Sequence, residues 1–513
     1  MLVKTYGSAL VGVNALLITI EVNMEAGFKY YHVGLPDNAV KESQMRVRSA
    51  IRQSGFPYPG KRITLNMAPA DIRKEGAAYD LPIAVGILAA SGELDSSQLD
   101  AYLIMGELSL DGSLRPIRGA LPIAIQTRQD GFKGLILPAA NAGEATMVEG
   151  LEVIGAENLS QVAAFLHRGE WPQPLPQQPA EALPCPIEVE VELDFSDVKG
   201  QENIKRSLEV AAAGGHNVVL IGPPGAGKTM LAKRLPGILP PLSLEESLET
   251  TKIHSVAGKT GKQVTLVTER PFRSPHHTIS DVALVGGGTY PQPGEISLAH
   301  NGVLFLDELP EFKRGVLEVM RQPLEDRVVT ISRARFSVEY PASFMLVASM
   351  NPCPCGFYNH PEKSCVCGPG VVQKYLNRIS GPLLDRIDLH VEVTPVAFSE
   401  LARKESSEAS EVVRQRVMQA REKQAARFSG IRGVHCNAQM QARLLQRFCK
   451  LDAAGQQLLK TAMDRLGLSA RAYDRILKVA RTIADLEGSA AIAAHHLAEA
   501  IQYRSLDRDN WAG

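Results

Sequence analysis

The sequence predicts an α/β fold with a parallel sheet at its centre. Three short apolar runs, at residues 218–221, 303–306 and 346–350, have the length and composition of buried strands. Each run ends in polar or glycine-rich residues, and a helical pattern follows the first of them at residues 230–235. Strands that alternate with helices in this way are typical of parallel sheets.

Residues 222–229, after the first predicted strand, fit the pattern G-x-x-x-x-G-K-[ST] of a phosphate-binding loop. Glycines allow backbone N–H groups to close around phosphate oxygens, and the N-terminus of the next helix adds positive potential. We expect Lys228 to bind the β and γ phosphates of ATP and the Thr229 hydroxyl to bind Mg²⁺. The predicted nucleotide-binding residues are Gly222, Pro223, Pro224, Gly225, Ala226, Gly227, Lys228 and Thr229.

Polar side chains also follow the second and third predicted strands. Asp307 and Glu308 come directly after residues 303–306, and Asn351 follows residues 346–350. We expect Asp307 to hold Mg²⁺ through water and Glu308 to polarise the attacking water, as a general base or by orienting it. Asn351 is expected to position that water beside the γ phosphate. Together with the phosphate loop, these residues predict ATP hydrolysis.

The bulk properties fit a multidomain protein of balanced charge. A chain of 513 residues corresponds to about three domains, and 45% hydrophobic residues is an ordinary content for folded cores. The formal net charge of −1 provides no general attraction to nucleic acid. No apolar run is long enough for a membrane span, and the seven cysteines do not suggest a disulfide framework. We therefore expect a cytoplasmic protein without a membrane partner.

Residues 1–171 are predicted to form an α+β domain. Its strands are expected at residues 15–22, 30–35 and 62–67, its helices at 39–54 and 81–91, and a hairpin at 106–114. This order, with the segments 74–82 and 114–119, resembles the proteolytic domain of Lon, whose fold is similar to domain 2 of ribosomal protein S5. Lon uses a Ser–Lys dyad, but the matching positions here are Ala78 and Leu121, which can neither attack nor take a proton. The resemblance therefore implies an inactive domain with an interaction or assembly role.

Residues 172–190 contain six prolines, which predicts a linker without regular structure. Residues 191–395 hold the phosphate loop and the two later strands. Three segments within them resemble the magnesium-chelatase group of AAA+ ATPases, namely 280–288, 294–302 and 382–388. The resemblance implies a P-loop NTPase core followed by a C-terminal helical lid at residues 396–513.

The same resemblance assigns roles to particular residues. Asn351 matches sensor 1. Arg386 matches the arginine finger, which stabilises transition-state charge at the γ phosphate of a neighbouring subunit, and Arg378 is the alternative. Arg471 matches sensor 2, which places it over the γ phosphate from the lid, and Arg475 is the alternative. A finger supplied to a neighbour requires a ring of subunits.

Four of the seven cysteines follow Asn351 closely, in the spacing C-x-C-x9-C-x-C. Four soft ligands within fifteen residues suit tetrahedral Zn²⁺, and His360 is an alternative to one of them. The other interpretation is a set of unliganded thiols on a loop. The candidate zinc ligands are Cys353, Cys355, Cys365 and Cys367.

The C-terminal domain is predicted to be helical, and its helix at residues 411–427 is strongly basic. Residues 403–450 contain eleven Lys or Arg against four Glu. Such a run is more often a solvated face than a nucleic-acid surface, but in a ring ATPase it is a candidate DNA surface. A later helix is expected to begin at Ser469 as its N-cap. The basic residues of the first helix are Arg414, Arg416, Arg421, Lys423 and Arg427.

A Lon-like domain, a chelatase-type ATPase module and a helical lid together resemble the YifB/ComM family over essentially the whole chain. That family is linked to natural transformation, and its competence member is described as a hexameric helicase that drives branch migration. The resemblance therefore implies a homo-oligomer, a hexameric ring, with single-stranded or branched DNA as its partner. Candidate pore elements are the glycine-rich segment 284–294 and the hairpin 327–338, in which Arg333 and Arg335 are expected to grip phosphates. The alternatives are a magnesium-chelatase-like motor subunit and an ATP-dependent protease or protein remodeller.

Overall fold

A computed structural model of the chain contains two large β-sheets, the first packed in one hydrophobic core and the second between two. The structure describes residues 1–34, 37–72, 74, 76–168, 193–259, 266–288, 291–333, 336–358, 360, 362–396, 407–431, 433–504 and 506. The predicted linker at residues 172–190 lies outside these ranges. The first sheet belongs to residues 1–168, and the second sheet is formed after residue 193.

The first sheet is mixed and has seven strands in the described chain. Leu2–Val11 pairs antiparallel with Asn14–Glu25 and parallel with Tyr102–Ile104. Buried residues alternate along Asn14–Glu25, as expected for a strand with one face on a core. In spatial order the strands are Tyr30–Val33, Arg62–Ala68, Asn14–Glu25, Leu2–Val11, Tyr102–Ile104, Gly134–Pro138 and Glu152–Ala156.

Helices and a small hairpin complete this first part. The hairpin pairs Glu107–Leu108 with Leu114–Arg115, around the turn that the sequence predicts. Helix Asp80–Ser91 is buried on all sides except at its last residue, in keeping with its apolar sequence. The helices are Asn38–Gln53, Asp80–Ser91, Ala120–Gln129, Ala139–Ala145 and Leu159–Arg168, with a 3-10 turn at Leu99–Ala101.

The two positions that match the Lon dyad carry no reactive group. Ala78 packs, partly buried, against the first core, and Leu121 is fully buried near the start of helix Ala120–Gln129. At the same helix end, the backbone N–H of Gly119 donates to the carbonyl oxygen of Ser255 at 3.2 Å. The region of the missing lysine therefore lies beside a contact between the two parts of the chain.

The second sheet consists of five parallel strands. The three strands predicted from apolar runs are buried along their whole length. Because all strands point the same way, the residues that follow them meet at one edge, here called the carboxyl edge, opposite the amino edge where the strands begin. In spatial order the strands are Phe272–Arg273, Val303–Leu306, Met345–Met350, Val218–Ile221 and Leu389–Glu392.

Two hydrophobic cores lie on opposite faces of this second sheet. Val218 and Leu220 belong to one core, and Val219 and Ile221 belong to the other, as the alternation of a strand requires. The helices of this part are Glu202–Gly214, Lys228–Arg234, Leu244–Val256, Asp281–Val285, Glu295–Leu298, Arg314–Glu318, Arg321–Asp326, Val371–Leu376 and Gly381–Leu384. Its 3-10 turns are Phe195–Asp197, Leu235–Ile238 and Leu309–Glu311, and its short strand pairs are Gly286–Gly287 with Gln292–Pro293 and Val328–Arg333 with Phe336–Pro341.

A group of C-terminal helices packs on helix Glu202–Gly214 and shares one of these cores. Ser469 caps one of the helices, because its hydroxyl accepts from the backbone N–H of Ala472 at 3.2 Å, as predicted. Within the described ranges, no helix is both long and apolar enough to cross a membrane. The helices are Ser410–Arg427, Ala442–Phe448, Ala453–Leu466, Ala470–Leu486 and Ala494–Gln502, with a 3-10 turn at Asn437–Gln439.

Candidate active site

The phosphate loop lies at the carboxyl edge, between the strand Val218–Ile221 and the helix that follows it. Gly225 and Gly227 have φ angles of +78° and +84°, in the left-handed region that glycine adopts without strain. Gly222 is needed for another reason, since a Cβ there would lie 2.3 Å from the carbonyl oxygen of Val393. The glycines of the sequence pattern therefore match the backbone that the loop adopts.

Lys228 is held inside the loop. Its Nζ donates to the carbonyl oxygens of Gly222 and Pro223, at 2.7 and 2.9 Å, and to Oδ1 of Asn351 at 3.2 Å. Burial lowers the pKa of the Lys228 ammonium, while the nearby carboxylate of Asp307 acts in the opposite direction. The structure thus brings Lys228 and Asn351, which are far apart in sequence, into one hydrogen-bonded group.

Asp307 lies next to Thr229. The Thr229 hydroxyl donates to Oδ2 of Asp307 at 2.8 Å, and the Ser349 hydroxyl donates to Oδ1 of the same carboxylate. A carboxylate and hydroxyls form the kind of oxygen donor set that Mg²⁺ prefers. Sequence reasoning missed Ser349, although it stands two residues before Asn351 and so shares its side of the strand.

Glu308 extends from the carboxyl edge and is accessible to solvent. Its side chain is 57% exposed, and its Oε2 lies 3.4 Å from Nδ1 of His277. The φ of Glu308 is +55°, an uncommon value for a residue other than glycine, and such values concentrate at functional sites. His277 reaches this place because the strand Phe272–Arg273 runs parallel to the strand before Asp307. The sequence analysis did not single out His277, and the adjacent pair His276–His277 was the available signal.

Arg386 and Arg471 lie at the amino edge, away from the phosphate loop of their own chain. Arg386 precedes the strand Leu389–Glu392, and its carbonyl oxygen accepts from Nδ2 of Asn217, which precedes the neighbouring strand Val218–Ile221. Nη1 of Arg471 donates to Oδ2 of Asp385 at 3.0 Å. The structure therefore brings these two arginines together, but it does not place Arg471 over the phosphate loop of the same subunit.

The guanidinium of Arg386 is mostly buried and only partly satisfied. Its Nη2 lies 2.6 Å from Oε1 of Glu325, and its Nη1 donates to the carbonyl oxygen of Pro382 at 2.6 Å. Its buried Nε has no hydrogen-bond partner among the described residues. Arg386 also lines an open cleft of about 440 Å³ together with Glu325, Arg321 and Asp326.

The two alternative arginines have different surroundings. Arg378 is half exposed and pairs with Glu311 at 2.9 Å, three residues after Glu308, so it lies on the carboxyl side of its own subunit. Arg475 pairs at 2.9 Å with Asp388, a carboxylate that is buried beside His216. These surroundings favour Arg386 over Arg378 for contact with a neighbour, and they make Arg475 part of the internal packing.

The four cysteines of the C-x-C-x9-C-x-C pattern form one cluster. Their Sγ atoms all lie within 4.8 Å of one another, and three of the separations are 3.3, 3.5 and 3.7 Å. Sulfur atoms around tetrahedral Zn²⁺ are separated by about 3.8 Å, given Zn–S bonds of about 2.3 Å. Burial alone raises the pKa of the Cys355 thiol, but N–H groups of Phe357 and Val366 lower it to about 6. The donor set therefore fits zinc.

The side chain of His360 forms hydrogen bonds within its own loop. Its Nδ1 accepts from the backbone N–H groups of Glu362 and Lys363, at 3.0 Å in each case. It is also absent from the group of potential metal ligands that the described residues form around the cysteines. The structure thus favours the four-cysteine ligand set over one that includes His360.

The basic side chains of helix Ser410–Arg427 form ion pairs and hydrogen bonds with partners inside the chain. Arg416 pairs with Glu209 at 2.5 Å, and Arg427 pairs with Asp485 at 2.7 Å. These carboxylates lie far away in sequence, so the local count of charges did not include them. The remaining contacts join Arg414 to Glu411, Arg421 to the carbonyl oxygen of Ala212, and Lys423 to that of Asp485.

The two predicted pore elements are only partly described. The strands Val328–Arg333 and Phe336–Pro341 form the predicted hairpin, but Arg335 and the side chain of Arg333 lie outside the described residues. The turn at Gly12 of the first sheet packs against this hairpin, since a Cβ on Gly12 would lie 2.9 Å from Cγ1 of Val338. The first part of the chain therefore contacts the hairpin directly.

Comparison with known proteins places the chain among the relatives of magnesium chelatase. The family model for magnesium chelatase, subunit ChlI, matches residues 194–401. Models for subunit ChlI of Mg-chelatase and for the C-terminal part of that subunit match residues 20–141 and 407–504. Three family models thus cover most of the chain in order.

Relatives match over almost the full length. The chain is 47% identical over 506 residues to YifB of Escherichia coli K12, covering 98% of this chain and 96% of that protein. It is 46% identical over 505 residues to the competence protein ComM of Haemophilus influenzae, covering 98% and 97%. A shorter match, 33% identical over 159 residues, links 28% of this chain to 27% of Lon protease 2 of Bacillus subtilis. The chain therefore belongs to the YifB/ComM family of magnesium-chelatase-like proteins.

Proposed function

We propose that this chain is a ring-forming AAA+ ATPase that couples ATP hydrolysis to DNA translocation, acting as a branch-migration helicase in natural transformation and homologous recombination. Its family supports an AAA+-type ATPase related to competence, since one relative is the competence protein ComM. The proposed ring is supported by the division of the site, because Lys228 lies at one edge of the second sheet and Arg386 lies at the opposite edge.

In the proposed reaction, the loop N–H groups and Lys228 bind the phosphates of ATP, and Thr229 and Asp307 hold Mg²⁺. When bound, Mg²⁺ neutralises charge on the phosphate oxygens. Glu308 accepts the proton of the attacking water or orients it, and Asn351 positions that water. These roles agree with the hydrogen bonds among Lys228, Asn351, Thr229 and Asp307.

The neighbouring subunit would complete the site. We propose that its Arg386 acts as the finger and that Arg471 enters the same interface beside it, so sensor 2 also acts between subunits. A heterologous contact of this type closes into a ring when it is repeated with rotational symmetry. We propose a hexamer, in keeping with the family resemblance.

We propose the same domain boundaries as above. Residues 1–171 would form an inactive Lon-like domain with an assembly role, residues 172–190 a linker, residues 191–395 the ATPase and residues 396–513 its helical lid. Contacts of Gly12 and Gly119 with the later part of the chain support the assembly role.

We also propose that Cys353, Cys355, Cys365 and Cys367 hold a structural Zn²⁺ ion. The support is the sulfur geometry, with separations of 3.3 to 3.7 Å among Cys353, Cys355 and Cys365 and all four Sγ atoms within 4.8 Å of one another, which is close to a tetrahedral tetrathiolate site. Zinc would tie together a loop of fifteen residues that otherwise offers few apolar contacts.

The deciding experiment measures ATPase activity and native mass with no DNA, with single-stranded DNA and with a branched junction, and then follows migration of the junction. We expect stimulation by DNA, a sixfold assembly and ATP-dependent movement of the branch. A protein remodeller, which the match to Lon protease 2 favours, would instead be stimulated by an unfolded protein. A chelatase-like motor subunit would respond to neither and would require a companion subunit.

A further inference from the structure

The segment with the four cysteines, residues 353–367, is here called the cysteine loop, and it makes a tight contact with the phosphate loop. A Cβ on Gly356 would lie 2.5 Å from Cδ and 3.0 Å from Cγ of Pro224, so glycine allows the backbone there to approach the Pro224 ring. The φ of Gly356 is +83°, which also favours glycine. Gly356 directly follows Cys355, and its N–H donates to the carbonyl oxygen of Cys353 at 3.0 Å.

The cysteine loop is connected to the active site at a second point. Asn351 stands two residues before Cys353, and its Oδ1 accepts from Nζ of Lys228 at 3.2 Å. Cys353 itself is fully buried. One short segment, from Asn351 to Gly356, therefore contacts both the start of the phosphate loop and its lysine.

The position of this segment depends on what holds the sulfur atoms together. Thiols form only weak hydrogen bonds to one another, whereas zinc–thiolate bonds can stabilise a small loop outright. The segment with Cys365 and Cys367 is mostly exposed and packs little apolar surface. Bound zinc would therefore be the strongest constraint that the described residues offer on the position of Gly356 against Pro224.

We propose that Zn²⁺ bound by the four cysteines braces the phosphate loop, so that nucleotide affinity depends on occupancy of the zinc site. This inference rests on the zinc site and the nucleotide site proposed above. The metal lies outside the chemistry of hydrolysis, and it acts by pre-organising Pro224 and Asn351 before nucleotide binds. Loss of zinc would therefore weaken nucleotide binding and leave the ATPase residues chemically intact.

The test measures zinc content by mass spectrometry and the Kd of a non-hydrolysable fluorescent ATP analogue, on the full chain. We expect about one zinc ion per chain, and roughly tenfold weaker binding after zinc is removed by a chelator, the equivalent of about 1.4 kcal/mol. Binding should recover when zinc is returned. The variant Cys367→Ser should lose both zinc and affinity.

Glycine variants test the contact between Gly356 and Pro224 separately from zinc binding. Gly356→Ala should keep its zinc but bind the analogue roughly tenfold more weakly, because its Cβ pushes Pro224 away. Gly370→Ala is the matched control, since it meets a similar backbone strain, with φ +75°, but a Cβ there has no described atom within 4 Å; it should keep both zinc and affinity. If Cys367→Ser fails to fold, these two glycine variants still test whether the contact with Pro224 affects nucleotide affinity.

Three results would overturn the inference. They are a purified protein that neither contains nor takes up zinc, an unchanged Kd in folded protein after zinc is removed, and an unchanged Kd in Gly356→Ala. Because the readout is nucleotide binding, these results leave the proposed DNA motor untouched. Conversely, the nucleotide affinity could depend on zinc content while DNA leaves the ATPase activity unchanged. That result would support the role of zinc in bracing the phosphate loop and contradict the proposed DNA motor.

Discussion

Nη1 of Arg471 lies 3.0 Å from Oδ2 of Asp385, the residue immediately before Arg386. Both arginines therefore belong to the amino edge of the second sheet, while Lys228 belongs to the carboxyl edge. The strand between the edges, Val218–Ile221, has four residues, which corresponds to about 13 Å. We infer that the two arginines serve a nucleotide held by the next subunit.

Mixed rings test this inference. Arg386→Ala alone should lower kcat roughly 10³-fold, because the cation that stabilises transition-state charge is missing, and Lys228→Ala alone should abolish turnover. In an equal mixture, about a quarter of the interfaces join an intact loop to an intact arginine, so activity should recover toward a quarter of wild type. The measurement is steady-state ATPase activity against mixing ratio.

Arg378→Ala provides the matched control for Arg386. Its guanidinium is exposed and paired with Glu311 on the carboxyl side, so its removal should change ATPase activity much less. Failure of the Arg386→Ala mixture to recover at every ratio would contradict a role between subunits. Recovery in mixtures of Lys228→Ala with Arg378→Ala, but not with Arg386→Ala, would instead assign the arginine finger to Arg378.

Replacement of Glu308 by Gln should separate binding from hydrolysis. The amide keeps the size of the side chain but cannot accept the proton of water, so kcat should fall roughly 10²- to 10⁴-fold, while the Kd for ATP stays close to wild type. The matched variant is Glu311→Gln, which removes a nearby carboxylate that pairs with Arg378. Equal turnover in the wild type and in Glu308→Gln would remove Glu308 from the mechanism.

The ion pair between the buried Asp388 and the partly buried Arg475 predicts a measurable dependence of stability on pH. Burial raises the pKa of Asp388, but Arg475 and His216 outweigh it and hold that pKa far below 3.8. A carboxylate with a lowered pKa stabilises the fold above about pH 4, and its contribution is lost as the pH falls further. Asp388→Asn should therefore lower the free energy of unfolding by about 3 kcal/mol at pH 7, because the guanidinium of Arg475, which is 20% exposed, loses its carboxylate partner.

Chemical unfolding at several pH values checks the sign of this effect. The difference between the wild type and Asp388→Asn should be constant from pH 5 to 8 and shrink by about 1.4 kcal/mol per pH unit below about pH 4. Asp385→Asn is the control, since its partner Arg471 is 63% exposed and the pair should contribute less than about 1 kcal/mol. A difference that grows as the pH falls from 5 would contradict the assignment.

Much of the carboxyl edge could be predicted because its signals are local in sequence. A buried strand followed by glycines, carboxylates or an amide is visible in one segment, and parallel pairing then brings Lys228, Asp307 and Asn351 together. Ser349 and His277 were missed because their roles depend on which strands are neighbours. That order is set by the packing of the whole sheet.

The side-chain contacts of the amino edge and of the basic helix could not be predicted from local sequence. Arg471 lies 86 residues from Asp385, and nothing in either segment reveals that they meet. Likewise, Arg416 pairs with Glu209, 207 residues away, as well as with the nearby Glu408. Charge counting over a short window therefore did not include the distant carboxylates that pair with this helix.

The turn of the first sheet offers a test of the proposed assembly role. Gly12 has a φ of +64°, and a Cβ there would lie 2.9 Å from Val338 in the hairpin proposed to line the pore. Gly12→Ala should shift that hairpin and lower the ratio of DNA-stimulated to basal ATPase activity by roughly threefold. Gly55→Ala meets a similar backbone strain, with φ +86°, but has open space around its Cβ, so the ratio should be unchanged. If both variants keep the wild-type ratio, the first domain does not act through this hairpin.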